Sequence, residues 1–360
     1  MTQAKTICLV MIVRNEAAVI RRCLESVKPY IDCWVICDTG STDATKEIIR
    51  ENLASVPGTL YEDAWVAFDH NRILAIARAR GRADYYLLIN ADETLQAETG
   101  LGCQLGEDAY VVRFTGPTDY WVTALVSDRF EWKYFGVTHE YIQAVGADKP
   151  RKLQGVTLTH HFDGGSRANK YERDIALLTK ALEADPQNAR YMFYLAQSYR
   201  DAGYIPQAID WYARRATAGA WEEEVFYSLY QVARLQALST LPWPIVLNSY
   251  LIACQYRPAR IEPIFQIVKY YRENQHYHLG YLFARSVVDA PYPDDILFIE
   301  RSVYEYELPL EYGICCYWTG RHEEAIRVNE AILATPNVPP DFLETASKNR
   351  QFSVAVRSGL

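Results

Sequence analysis

Four short polar clusters in the first hundred residues carry side chains suited to a charged ligand. They are Arg14-Asn15-Glu16, Asp38-Thr39-Gly40-Ser41-Thr42-Asp43, Glu62-Asp63 and Asn90-Ala91-Asp92-Glu93. A carboxylate such as Asp38 can accept a hydrogen bond from a nucleoside base N–H or a ribose hydroxyl. The Ser41-Thr42-Asp43 run after it reads as a helix start whose backbone N–H groups are offered to an anion. Asp92 and Glu93 are hard oxygen donors. Such groups bind a divalent cation, which can bridge to a diphosphate and neutralise charge on a nucleoside-diphosphate leaving group. Glu62-Asp63 has the weakest claim on a ligand.

Each cluster closes an apolar run: Ile7–Val13, Trp34–Cys37, Leu60-Tyr61 and Tyr85–Ile89. Between them, Ala17–Tyr30, Thr42–Asn52 and Asn71–Arg80 place apolar residues at helical spacing. Alternating strands and helices predict an α/β domain with a mixed, mostly parallel sheet. All four clusters then fall on one edge of it, where open α/β folds bind ligands. Residues 109–162 read differently. Tyr110–Phe114, Tyr120–Val126, Tyr141–Val145 and Val156–Phe162 are short, aromatic and β-branched, and predict antiparallel or extended additions to the sheet.

From Asn169 the pattern is helical. Tyr171, Ile175, Leu178 and Leu182 share a face, and Asp185-Pro186 stops that helix. The run Met192, Leu195, Ala196, Tyr199, Gly203, Ala208, Tyr212 follows the tetratricopeptide (TPR) pattern of about 34 residues. Gly313, Gly320, Ala325 and Pro336 form a weaker copy. Small residues recur where two helices cross closely. Pro242-Trp243-Pro244 and Pro291-Tyr292-Pro293 interrupt the region between. The expected organisation is an α/β catalytic domain over 1–166 and an all-α helical solenoid over 167–360, with roughly four or five units.

With 360 residues the chain is long enough for two cores, and 49% hydrophobic against 23% charged residues marks it as globular. A net charge of −8 without a Lys/Arg-rich run argues against nucleic-acid binding. No apolar stretch approaches the roughly 18–20 residues that span a bilayer. Ile7–Val13 is too short for a signal peptide and is followed by Arg14-Asn15-Glu16. Eight scattered cysteines without a CxxC pair read as reduced thiols, so the expected location is cytoplasmic. Most of the 27 tyrosines lie after residue 170 and predict interhelix packing with hydroxyls reaching water.

Three segments together resemble the family 2 glycosyltransferases of the GT-A fold: Val13-Arg14-Asn15-Glu16, Cys37-Asp38-Thr39-Gly40-Ser41-Thr42-Asp43 and Leu88-Ile89-Asn90-Ala91-Asp92-Glu93. Phe68-Asp69-His70-Asn71-Arg72 is similar to that family's donor-contacting helix start. The resemblance covers about residues 5–165. With the helical tail, the chain resembles the peptide S-glycosyltransferases of glycosylated bacteriocins over nearly its whole length.

The resemblance implies a nucleotide-sugar donor, a UDP-sugar for preference, held by Arg14, Asn15, Glu16, Asp38, Asp63, Asn71, Arg72, Asn90 and Ala91. It implies Mn²⁺ or Mg²⁺ at a DxD motif. Here that motif reads Asn90-Ala91-Asp92, which removes one charge but keeps Asp92, the direct ligand in the family. A histidine completes the metal shell or contacts the diphosphate in related transferases. Strand alternation sets His160 with Val156 and Leu158, and His161 with Thr157, Thr159 and Asp163; both histidines stay candidates.

Inverting transfer attacks the anomeric carbon once, so the attacking group must lose a proton. Gly136-Val137-Thr138-His139-Glu140 resembles the segment that supplies the base. Glu140 is the candidate and His139 its neighbour. Phe130, Trp132, Tyr134 and Phe135 suggest a sugar-stacking wall. The expected activity is inverting hexosyl transfer to a hydroxyl or thiol, with the repeats presenting a peptide or protein acceptor or building a homodimer. A glycan acceptor, or an inactive TPR scaffold with a relic nucleotide domain, are the alternatives.

Overall fold

The computed structural model describes residues 4–97, 100–116, 118–161, 163 and 170–358. Phe162 and Asn169, at the end of the last expected strand and the start of the expected helical region, lie outside the described residues. The chain divides into two compact units, Met1–Pro186 and Gln187–Leu360.

In the first unit, β1 (Ile7–Val13), β2 (Cys33–Asp38), β3 (Gly58–Glu62) and β4 (Tyr85–Leu88) are the four runs read as strands. They pair in parallel in the order β3-β2-β1-β4. Val13, Asp38 and Glu62 are in register, so these strands end level. The expected common edge is present. The sheet continues with β7 (Tyr120–Ser127), β6 (Ala109–Thr115), β10 (Arg151–His160) and β5 (Glu93–Ala97). β7 runs antiparallel to β4 and β6; β10 is parallel to β6 and antiparallel to β5. β8 (Lys133–Phe135) and β9 (Tyr141–Gln143) form a separate antiparallel ribbon.

Strand alternation assigns the two faces of the sheet. Leu9, Met11 and Ile36 pack with Ile20, Cys23 and Leu24 of α1 (Ile20–Val27) and Ile49 of α2 (Thr45–Asn52). Cys8, Val10 and Val35 pack with Ala75, Ile76 and Ala79 of α3 (Phe68–Ala79) on the other face. Two-sided cover explains why β1 and β2 read as continuous apolar runs. α1 and α2 each begin three residues later than their spacing suggests, because the preceding residues belong to interlocked loops described below. α4 (Lys170–Ala184) falls in the first unit.

The second unit is all-helical. α5 (Ala189–Asp201) packs on α6 (Ile205–Thr217), α7 (Glu222–Leu238) on α8 (Trp243–Tyr256), α9 (Glu262–Glu273) on α10 (Tyr277–Arg285), and α11 (Leu308–Trp318) on α12 (His322–Ala334). α13 (Pro340–Arg357) closes the series on α12. Close crossings account for two glycines. A Cβ at Gly280 would lie 2.7 Å from Cys315 Sγ, and one at Gly313 2.8 Å from Val328 Cγ1.

Two sequence expectations change here. Pro242-Trp243-Pro244 starts α8 instead of interrupting a helix: Pro242 is its N-cap and Pro244 sits in the first turn, where no N–H is needed. Several tyrosine hydroxyls meet carboxylates instead of water. Tyr312 donates to Glu324 (2.6 Å) and Tyr304 to Glu262 (2.9 Å). The architecture is the expected GT-A-type α/β domain followed by a TPR-like helical domain. Among the described residues, no helix is long and apolar enough to cross a membrane.

Candidate active site

The loops after β1 and β2 are locked together by side chains that sequence reading assigned to a ligand. Asn15 is left-handed (φ 54°), a conformation asparagine tolerates better than most residues. Its N–H donates to Ser41 Oγ (2.9 Å), and its Oδ1 accepts from Thr42 N–H (2.8 Å). Glu16 N–H donates to Thr45 Oγ1 (2.8 Å), and Ala17 N–H to Asp43 Oδ2 (3.1 Å). Asp38 Oδ1 accepts from Gly40 N–H (3.0 Å) and Ser41 N–H (2.8 Å). These backbone N–H groups are therefore engaged within the loops, not offered to an anion, and helix α2 starts only at Thr45. Arg14 is exposed beside them.

Asp38 is 1% exposed, yet its Oδ2 is a buried atom with no hydrogen-bond partner among the described residues. A buried carboxylate oxygen without a donor is costly.

Asp63 and Asn71 are engaged by protein groups. Asp63 makes a bidentate pair with Arg78 (2.7 and 2.5 Å), and Arg78 stacks over Tyr61. Buried Asn71 accepts from Val66 N–H (3.0 Å) and Ala67 N–H (3.3 Å) and donates to the Ala64 carbonyl (3.0 Å). That fixes the loop entering α3 and so the place of Arg72. Arg78 had no signal in the sequence beyond its charge.

Arg72 is the hub. Its Nη2 donates to Asn90 Oδ1 (3.2 Å), its Nη1 pairs with Glu140 Oε2 (3.2 Å), and its guanidinium lies over the Tyr134 ring. The Glu140 side chain is 6% exposed. Burial pushes its carboxyl above the usual range, against the pull of Arg72, with Asp69 adding to the upward push. A raised carboxyl is suited to accept a proton near neutrality. Gly136 (φ 117°) and left-handed His139 (φ 49°) turn the chain so that Glu140 faces inward; His139 itself is exposed.

The expected aromatic wall is mostly core. Trp132 is buried and donates to the Ser127 carbonyl (2.7 Å), while Phe130 and Tyr134 pack against the same cluster. The exposed part is Phe135, stacked on Tyr141, with Val137 beside it in the chain.

Residues 90–93 divide by role. Asp92 Oδ2 lies 2.7 Å from His160 Nε2. His161 instead meets Thr94 Oγ1 through Nε2 (2.9 Å) and gives its N–H to the Asp92 carbonyl (3.0 Å). Of the two histidines, His160 is the one brought to Asp92. Asp163, expected beside His161, makes a bidentate pair with Arg22 (3.0 and 2.8 Å). Glu93, the second acid of the cluster, turns inward as the first residue of β5, is buried, and accepts from Asn90. Ala91 is buried between them.

No group of three or more His, Cys, Asp or Glu able to hold a metal is found among the described residues. Asp92 and His160 offer two ligands. Asp92 is an oxygen donor of the kind Mg²⁺ or Mn²⁺ takes together with substrate phosphates, and His160 adds an imidazole nitrogen, a softer donor.

Residues 8–100 match the family model for glycosyl transferase family 2. The match supports glycosyltransferase activity in general. It includes Asn15, Asp38, Arg72 and Asp92 and stops before Glu140 and His160. A TPR repeat-containing protein of Synechococcus elongatus is 42% identical over 103 residues, 28% of this chain and 24% of that protein. The chain thus spans about a quarter of that relative's length. Among solved structures, a tetratricopeptide repeat protein of Parabacteroides merdae matches with 15% identity and a TM-score of 0.38, over 51% of this chain and 68% of that one. A thermophilic TPR protein of Thermus thermophilus matches with 12% identity and a TM-score of 0.33, over 51% and 91%.

Proposed function

We propose that the protein is an inverting, metal-assisted glycosyltransferase that moves a hexosyl group from a UDP-sugar to a hydroxyl or thiol of a peptide or protein. The observation that supports this reading is the presence of two pairs, Asp92–His160 and Arg72–Glu140, on either side of Asn90, which accepts from Arg72 and lies two residues before Asp92 at the edge of the sheet. One pair suits a diphosphate, the other a reacting nucleophile.

Asp38 Oδ2 receives a donor group of the nucleoside, while the interlocked Asn15 and Ser41 loops hold that carboxylate in place. Asp92 and His160 would hold the cation, which supplies positive charge to the diphosphate leaving group. Glu140 takes the proton of the acceptor hydroxyl or thiol. The freed electron pair bonds to the anomeric carbon, and the bond from that carbon to the diphosphate oxygen breaks with its electrons leaving on UDP. Arg72 lies between the two halves and can stabilise negative charge on either side. Exposed Phe135, Val137 and Tyr141 near the base offer an apolar surface to the acceptor. The helical hairpins would present the peptide, since repeat arrays form extended binding surfaces.

Asn90 in place of the family's first acid does not by itself favour a relic scaffold, because its amide is used on both sides. The test is incubation with several UDP-sugars and Mn²⁺, reading UDP release with and without peptide acceptors. Release that depends on Asp92 is expected. No release from any of them would refute an active transferase.

A further inference from the structure

The cluster Asn90–Glu93 contains a polar pairing of fixed direction. Glu93 Oε1 accepts from Asn90 Nδ2 (2.6 Å) and Glu93 Oε2 from Asn90 N–H (3.0 Å). The Asn90 amide gives the first of these and leaves its oxygen to another partner, with no proton to be taken up. That oxygen, Asn90 Oδ1, receives Arg72 Nη2 (3.2 Å), and Arg72 Nη1 reaches Glu140 (3.2 Å). Glu93 is 5% exposed and lies opposite His160 in the β5–β10 register. It stands at the head of a line of contacts that ends on Glu140.

We propose that Glu93 is a positioning residue: it fixes the amide of Asn90 so that the Asn90 carbonyl holds Arg72 against Glu140. The description of Glu140 as the base rests on the function proposed above; the line of contacts does not. Residue 90 must then be an amide in this chain. Restoring the family's acid would set two carboxyl groups together, which must share a proton or repel, and the added negative charge would draw Arg72 away from Glu140.

Among the described residues, the groups shown to act on Glu140 are Arg72 and Asp69 on α3 and the Tyr134 hydroxyl on β8, with His139 next to it in the chain. Because Arg72 is the cation among them, its withdrawal moves Glu140 upward. Mere loosening of the site would do the opposite, since it would relieve the burial that raises Glu140 and return it toward 4.5.

The experiment uses the full chain and three variants: Asn90→Asp, Glu93→Gln, and the two combined. Melting temperature and a carboxyl-carbon NMR titration of Glu140, assigned by its loss in Glu140→Gln, are read without substrate. Both single variants are expected to melt lower than the parent. The double variant exchanges amide and carboxylate between the two positions, so that a donor again faces an acceptor, and is expected to recover most of the loss. In Asn90→Asp, Glu140 is expected to titrate at higher pH than in the parent. With UDP-sugar and Mn²⁺, each single variant is expected to lose about ten- to a hundred-fold in turnover, as for partners that orient a metal site from outside.

The inference is overturned if Asn90→Asp melts like the parent, if the double variant is no better than the worse single one, or if Glu140 moves down in Asn90→Asp. Failure of the parent to bind UDP would overturn the transferase reading and leave the melting and titration results standing.

Discussion

Asp38→Asn separates a ligand role from a structural one. In the folded protein Asp38 Oδ1 already serves the loop, accepting from Gly40 and Ser41, while Oδ2 is buried with no partner among the described residues. The amide keeps the oxygen that the loop uses and replaces the orphan oxygen by an NH₂ group. Two changes in stability oppose each other. The two loop hydrogen bonds lose their charge assistance, and a buried, unmatched anionic oxygen is removed. Each effect is on the order of 1–2 kcal/mol, so the melting temperature should move little. Binding has no such compensation. A nucleoside N–H or O–H that met a carboxylate would now face another donor. A hydrogen bond to a charged group contributes about 1.5–3 kcal/mol, which at about 1.4 kcal/mol per decade predicts a ten- to hundred-fold rise in the Kd for UDP. Calorimetric titration of UDP in Mn²⁺, beside a thermal melt of the same sample, reads both quantities. Unchanged UDP affinity would refute the assignment of Oδ2 to the nucleotide, and a large drop in melting temperature would show that the loop depends on the charge of Asp38.

Four further outcomes follow from the geometry. Glu140→Gln should lower transfer by roughly 10²–10⁴ while leaving the Kd for UDP unchanged, as loss of a general base does. Because burial raises the Glu140 carboxyl in the fold, its stability contribution is full below 4.5 and is lost as pH rises through the folded value; the Gln variant should gain melting temperature relative to the parent over that rise. Asp92→Asn and His160→Ala should each remove most of the gain in UDP affinity on adding Mn²⁺, whereas His161→Ala should keep it, all read by the same titration. In the helical unit, Arg260 is fully buried against Glu262 (2.7 Å) and Asp295 (3.1 Å). Arg260→Leu should destabilise that unit by about 3–5 kcal/mol, measured by denaturant unfolding, because it strands buried carboxylates.

The sheet edge was legible in the sequence because β1, β2 and β4 are covered on both faces and so read as apolar runs that stop sharply. The helical repeats were legible because Ala196, Ala208 and Gly313 are small residues packed between helices, while Gly203 (φ 82°) serves the left-handed turn between α5 and α6 and has open space around it. β5 was not, because its first residue is Glu93, an acid at a buried strand position, and no single-residue preference predicts that. It becomes intelligible only beside Asn90. The individual roles at the edge were also beyond the sequence. Asn15, Ser41 and Asp43 are types that bind ligands and equally types that tie loops together, and which they do depends on whether the partner is 26 residues away or in solution. Asn71 likewise satisfies its own loop. The choice between His160 and His161 required the β5–β10 pairing, which sets His160 opposite Glu93 and so beside Asp92.

The measurement that bears most directly on the central claim is the calorimetric titration of UDP into the full chain, with Mn²⁺ and with a chelator. The account predicts one UDP per chain, bound more tightly with Mn²⁺, and loss of that difference in Asp92→Asn. No heat of UDP binding in either condition would contradict a nucleotide-sugar site at the edge of this sheet.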